Sequence, residues 1–147
     1  MVSSISLSHL YDAPADVVWA LVTDLDALAV VNHPRIVMAG LPQGRIYQGQ
    51  RLEVLVSVFG FLPKQPYAME VVVCDDTERQ FQSREYGAGV KSWEHRLKVQ
   101  ESAAGCRIDE TIVLDAGWLT PLFAAWARHL YKARHPARLR LLKEAKV

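Results

Sequence analysis

Between Arg51 and Asp115 the sequence repeats one kind of text, in which apolar side chains fall on alternate positions and short polar turns intervene. RLEVLVSVF, YAMEVVVCD, RQFQSREY, KSWEHRLKVQ and CRIDETIVLD follow one another, joined by GFLPKQP, DDTE, GAG and ESAAG. A period of two belongs to a strand with one covered face and one wet face. Such strands, spaced by ~12 residues with short turns, form an antiparallel meander. GFLPKQP is too rich in proline and glycine to be strand and reads as a loop. A sheet of this length twists, and its apolar face has to be covered.

The rest of the chain supplies the cover. Ser3 to Tyr11 alternates Ile5, Leu7, His9 and Tyr11 against serines, which predicts a first strand. DAPADVVWALVTDLDAL then carries Val17, Val18, Leu21, Val22 and Leu25 at helical spacing, with Asp12 or Ala13 as cap and Pro14 preset for the first helical position. This helix should break near Asp24, with a second short one running to Val31. A short strand is expected around Arg35 to Met38. The C-terminal text from Thr120 is helical, with Leu122, Phe123, Trp126, Ala127, Leu130 and Tyr131 in the i, i+3, i+4 rhythm. Pro136 removes a backbone donor and should kink or end that helix.

At 147 residues the chain fits one domain, residues 1–147. A net charge of +1 gives no steer toward nucleic acid. The opening residues lack a basic stretch followed by a long apolar core, and no apolar run approaches the ~18 residues of a membrane span. The two cysteines, Cys74 and Cys106, have no metal-ligand spacing and lie in strand text. They read as buried reduced thiols, and the expected location is the cytoplasm.

The alternation raises one chemical question. In KSWEHRLKVQ, Trp93, His95, Leu97 and Val99 share the covered row, and in CRIDETIVLD so do Ile108, Glu110, Ile112 and Leu114. Pairing Val99 with Cys106 across the ESAAG turn sets Leu97 against Ile108, His95 against Glu110 and Trp93 against Ile112. Directly opposed side chains stand roughly 5 Å apart at Cβ. A buried carboxylate and imidazole favour each other's charged forms. The pair can satisfy itself within the core, orient a ligand hydroxyl or carbonyl, or act as a general acid–base unit.

The order of one strand, short helices, meander and long helix resembles the helix-grip fold of the START-related (SRPBCC) superfamily. That superfamily includes birch-pollen-allergen-like proteins, lipid-transfer domains and polyketide cyclase/dehydrase proteins. The resemblance covers essentially the whole chain. It rests on DAPADVVWALVTDLDAL, SWEHRLKV, CRIDETIVLDAG and LTPLFAAWARHLYKARHPARLRLL, and is strongest toward the polyketide cyclase/dehydrase-like branch. It implies an α+β architecture: a curved antiparallel sheet gripping the long C-terminal helix, with one or two short helices after the first strand. It also implies a cavity between sheet and helix that holds an apolar or amphipathic small molecule, with no cofactor. The superfamily's hydroxylase branch holds iron with two histidines and a carboxylate. The five histidines here are scattered without paired spacing, so no metal site is expected.

On that reading the cavity is lined by Trp93, His95 and Glu110 from the last hairpin. Ser83 and Glu85 stand near its mouth if Phe81, Ser83 and Glu85 are the inward row; the alternative row is Gln82, Arg84 and Tyr86. Val54, Val56, Tyr67 and Met69, with Leu52, Val58 and Val71, are expected as walls or plain core. Phe123, Trp126, Leu130 and Tyr131 come from the helix, where Ala124, Ala125 and Ala127 leave room. The alternative is that Trp93, Phe123 and Trp126 fill the space themselves. Three roles stay open: binding alone, a cyclase or dehydratase using His95 and Glu110, and an interaction or membrane-adapter module. The last would use the cation run of Arg128, Lys132, Arg134, Arg138, Arg140, Lys143 and Lys146, opposed only by Glu144. Its simplest reading is a solvated helix face with weak contact to anionic surfaces. No aromatic platform interleaves with it, so no nucleic-acid partner is expected; monomer and homodimer are both open.

Overall fold

The computed structural model describes residues 1–145. The first strand, β1 (Ser3–Tyr11), buries Ile5 and Tyr11 and turns Ser4, Ser6 and Ser8 outward. Two short helices follow, α1 (Ala15–Val22) and α2 (Leu25–Asn32). Pro14 itself is the capping residue of α1, so the helix begins one residue later than expected, and the Pro14 carbonyl accepts from Val17 and Val18 at 3.1 Å. The break falls at Asp24, whose carboxylate accepts from the Asp26 N–H at 2.9 Å and so starts α2. A short β2 (Ile36–Ala39) leads to the meander: β3 (Arg51–Val58), β4 (Gln65–Asp75), β5 (Gln80–Gly87), β6 (Val90–Ser102) and β7 (Gly105–Asp115). β4 begins inside the proline-bearing loop, at Gln65, where Pro66 pairs with Leu55.

The seven strands form one antiparallel sheet in the order β1-β7-β6-β5-β4-β3-β2, so the first strand closes onto the last. Register shifts at Val71/Val73 and Glu85/Gly87 bend the sheet and give it curvature. After a single 3-10 turn at Gly117–Leu119, the long helix α3 (Thr120–Ala145, 26 residues) lies across the concave face. The architecture is the expected α+β helix grip. α3 runs on through Pro136 rather than ending there. Pro136 and Lys132, whose carbonyl loses its donor, are both on the exposed side, where water can take the lost bond.

The core lies between this face and the helices. Val18 and Trp19 of α1 pack on Leu97, Val99 and Ile108. Ala127, Leu130 and Tyr131 of α3 pack on Ile5, Trp93, Ile112 and Leu114. Leu25 of α2 packs with Ile46, Leu52 and Val71. Each large side chain so covered contributes about 1.5–3 kcal/mol. Leu122, expected on the inward stripe, is instead 65% exposed, because it lies on the opposite side of α3 from the buried stripe of Ala127, Tyr131, Arg134 and Arg138. Both cysteines are free; Cys106 is buried and Cys74 only half-buried.

The β6–β7 register differs from the one predicted. Trp93 faces Leu114, His95 faces Ile112, Leu97 faces Glu110 and Val99 faces Ile108. The cause is the turn. Ser102 pairs with Gly105, so its tip is Ala103–Ala104, one residue later than assumed, and every pairing moves by two. A shift of two keeps each side chain on its own face, and so the apolar pattern could not reveal it.

Candidate functional site

A cavity of about 150 Å³ lies between the curved sheet, α3 and the two short helices. That is well above the ~15 Å³ a single water needs. On β5 the inward row is Phe81, Ser83 and Glu85, and β6 adds Trp93 and His95. Val56, Tyr67 and Met69 from β3 and β4, and Phe123, Trp126, Leu130 and Tyr131 from α3, also face the space. Two residues expected there do not. Val54 is buried but does not reach the cavity, and Glu110 lies behind His95.

His95 and Glu110 meet as diagonal neighbours rather than opposite ones, with Nε2 and Oε2 2.7 Å apart. The other carboxylate oxygen accepts from Arg138 on α3, also at 2.7 Å. Burial alone would push the Glu110 carboxyl up. The Arg138 guanidinium and the His95 hydrogen bond outweigh it and hold the group far below the usual carboxylate range. An ionised carboxylate can only accept, so His95 Nε2 carries a proton and donates. Its Nδ1 has no hydrogen-bond partner among the described residues, on a ring that lines the cavity. The edges of Phe81 and Tyr131 hold the ring, with centroids 5.7 and 4.9 Å away.

A second polar group sits on β4 and β5. Glu85 accepts from the Tyr67 hydroxyl at 2.9 Å and from the Ser83 hydroxyl at 2.5 Å. Burial, with Glu85 adding to it, pushes the Tyr67 phenol well up, so it remains a donor. Trp93 Nε1 donates to the Tyr131 hydroxyl at 3.3 Å, which ties the sheet to α3 across the cavity wall.

The cation run needs correction. Arg138 and Arg134 are only 4% and 7% exposed, and both side chains line the cavity. They continue the inward stripe of Ala127, Tyr131, Arg134, Arg138 and Leu142, all buried at helical spacing. Extending the apolar rhythm past Tyr131 would have found them; reading arginine as a surface residue hid them. Arg128, Lys132, Arg140 and Lys143 are exposed. Lys146 lies outside the described residues.

Beyond the cavity, His9 of β1 stacks on His135 of α3 at 4.5 Å, with the Tyr11 ring edge-on to His135 at 4.8 Å. Burial, foremost, lowers both imidazole pKa values; Arg138 adds to this for both, Lys132 for His9 and His9 for His135, while Glu110 opposes it for His9. The unfolded chain takes these protons near the ordinary value of 6.5 and the folded one resists them. Folding stability should therefore drop as pH falls from 7 through 6.5. His9→Phe should flatten that dependence in urea titrations at pH 7.5, 6.5 and 5.5; an unchanged slope would remove these histidines from the account.

A family model described as polyketide cyclase/dehydrase and lipid transport matches residues 3–145. The chain belongs to that family. Solved structures similar to this family member have low identity but extensive overlap. A Rhodobacter sphaeroides protein has a TM-score of 0.77 at 12% identity, covering 97% of this chain and 93% of its own. A Nitrosomonas europaea protein has 0.76 at 14%, covering 97% and 96%. The protein Ara h 8.0201 has 0.68 at 13%, covering 95% and 99%. At these identities the likeness shows the shared helix-grip fold. No curated protein matches the chain. Among the described residues of this family member, no three His, Cys, Asp or Glu side chains gather as a metal ligand set, and no helix is long and apolar enough to cross a membrane.

Proposed function

We propose that the protein binds a small apolar or amphipathic molecule in the cavity between the sheet and α3. The supporting observation is the character of that space: about 150 Å³ with mostly apolar walls, and polar side chains gathered at His95 and at Tyr67, Ser83 and Glu85. Apolar walls supply affinity and a few fixed polar groups supply orientation. The family description, with its cyclase/dehydrase and lipid-transport members, agrees with a ligand of this kind.

Native mass spectrometry of freshly purified protein tests it. A small-molecule adduct that leaves on denaturation is the expected result. A clean unliganded mass, with no thermal shift from fatty acids or aromatic polyketides, would sink the proposal. Met69→Trp, which adds bulk to a half-buried wall position, should abolish the adduct while the protein still unfolds cooperatively.

One observation favours a second reading. His95 is held at Nε2 by a buried carboxylate and has an unpartnered Nδ1, the arrangement of a base oriented for proton transfer at a ligand carbonyl. If the protein only binds, His95→Ala keeps affinity within about tenfold, ~1.4 kcal/mol. If it catalyses, His95→Ala keeps binding and cuts turnover by ~10² or more.

A further inference from the structure

Arg134 is a buried cation with no counter-ion among the described residues. Its Nε donates to Asn32 Oδ1 at 3.1 Å, and its guanidinium lies 4.0 Å over the Tyr131 ring. Those two contacts fix its plane and leave the terminal nitrogens free. The carboxylates of the interior are already engaged: Glu110 by Arg138 and His95, Glu85 by Tyr67 and Ser83. Among the described residues no acid comes within the 4.0 Å of an ion pair with Arg134. A buried charge left unpaired is costly, and proteins keep one where something else completes it. Arg134 also lines the cavity.

We propose that the cavity takes a monoanionic carboxylic acid with an apolar body, its carboxylate paired with the free edge of the Arg134 guanidinium. A guanidinium edge matches a carboxylate in a bidentate fork, and the stacked, anchored plane loses little freedom on binding. One free cation and mostly apolar walls suit a single negative charge. A phosphate dianion would carry a second charge into a space that already holds Glu85. The acid head sits at α3, and the body lies along the apolar walls of β3 and β4. This rests on the cavity-binding reading above and adds the class of ligand to it.

The test pairs acids with alcohols of the same body: benzoate with benzyl alcohol, and 2-naphthoate with 2-naphthalenemethanol, titrated calorimetrically into the full chain at pH 7.5. The expected result is that at least one acid binds tenfold or more tighter than its alcohol. Arg134→Gln should erase that preference and leave the alcohol within threefold of its wild-type affinity, while Arg134→Lys keeps part of it. Equal affinity for acid and alcohol in the wild type, or a preference that survives Arg134→Gln, overturns the anion assignment and leaves cavity binding intact. No binding by any of the four at millimolar concentration overturns both. Should Arg134→Gln not fold, the wild-type ratio and Arg134→Lys still decide.

Discussion

Arg138→Met lowers the unfolding free energy by about 3–5 kcal/mol, the usual cost of leaving one partner of a buried ion pair uncompensated. The partner is Glu110, 2% exposed, whose other side-chain hydrogen-bond partner is the His95 ring. With the guanidinium gone, burial pushes that carboxyl upward, and it protonates or draws water into the core. Adding Glu110→Gln to Arg138→Met should return a substantial part of the loss, because the stranded charge goes with it. Urea unfolding at pH 7 measures both. A loss under about 1 kcal/mol would mean that the pair is solvated, since exposed pairs contribute no more than that. The same pair sets acid sensitivity. Glu110's folded pKa lies below its ordinary 4.5, so its contribution is present above pH 4.5 and is lost as pH falls below it. That loss should vanish in Glu110→Gln.

Gly105→Ala should cost about 2–4 kcal/mol, from backbone strain together with overpacking. Gly105 opens β7 at φ +144, and a Cβ there would meet the Tyr11 carbonyl oxygen at 2.4 Å and the Ala13 backbone at 2.8 Å. All of these atoms are backbone, so no side chain can swing aside. The expected fall in Tm is roughly 5–15 °C for a chain of this size. Gly44→Ala is the control: it shares a positive φ, +106, but has nothing within 4 Å of the added atom, so its loss should be smaller. Equal losses would mean that strain alone matters and that the close approach of the β6–β7 turn to the end of β1 does not.

What the sequence revealed follows from its period. Alternation separated the two faces of each strand; on β5 it left both rows open, and the row of Ser83 and Glu85 is the one that faces inward with Trp93 and His95. It could not fix register, since the two-residue shift in β6–β7 preserves every face. The His95–Glu110 contact was therefore anticipated through a pairing the chain does not make. Long side chains reach across the diagonal, which allowed the contact to survive. The arginines were hidden for a different reason. Hydrophobic periodicity records only apolar members of a stripe, and Arg134 and Arg138 occupy inward positions with polar partners that lie 102 and 28 residues away in sequence. Val54 marks the opposite limit: its parity gave it the right face, and it is buried, yet it does not reach the cavity.

The pairing of the first strand with the last has a consequence in time. Ser3 meets Leu114, and Tyr11 meets Cys106. A ribosome adding about 5–20 residues per second needs roughly 5–20 s to supply that partner. Through the interval β1 waits as an orphan, with Ile5, Leu7 and Tyr11 uncovered and its hydrogen-bonding edge unsatisfied. Pairings this distant in sequence also slow folding after release. The serines at every second position keep one side of the waiting segment hydrophilic, so the nascent chain has less to offer another strand while it waits.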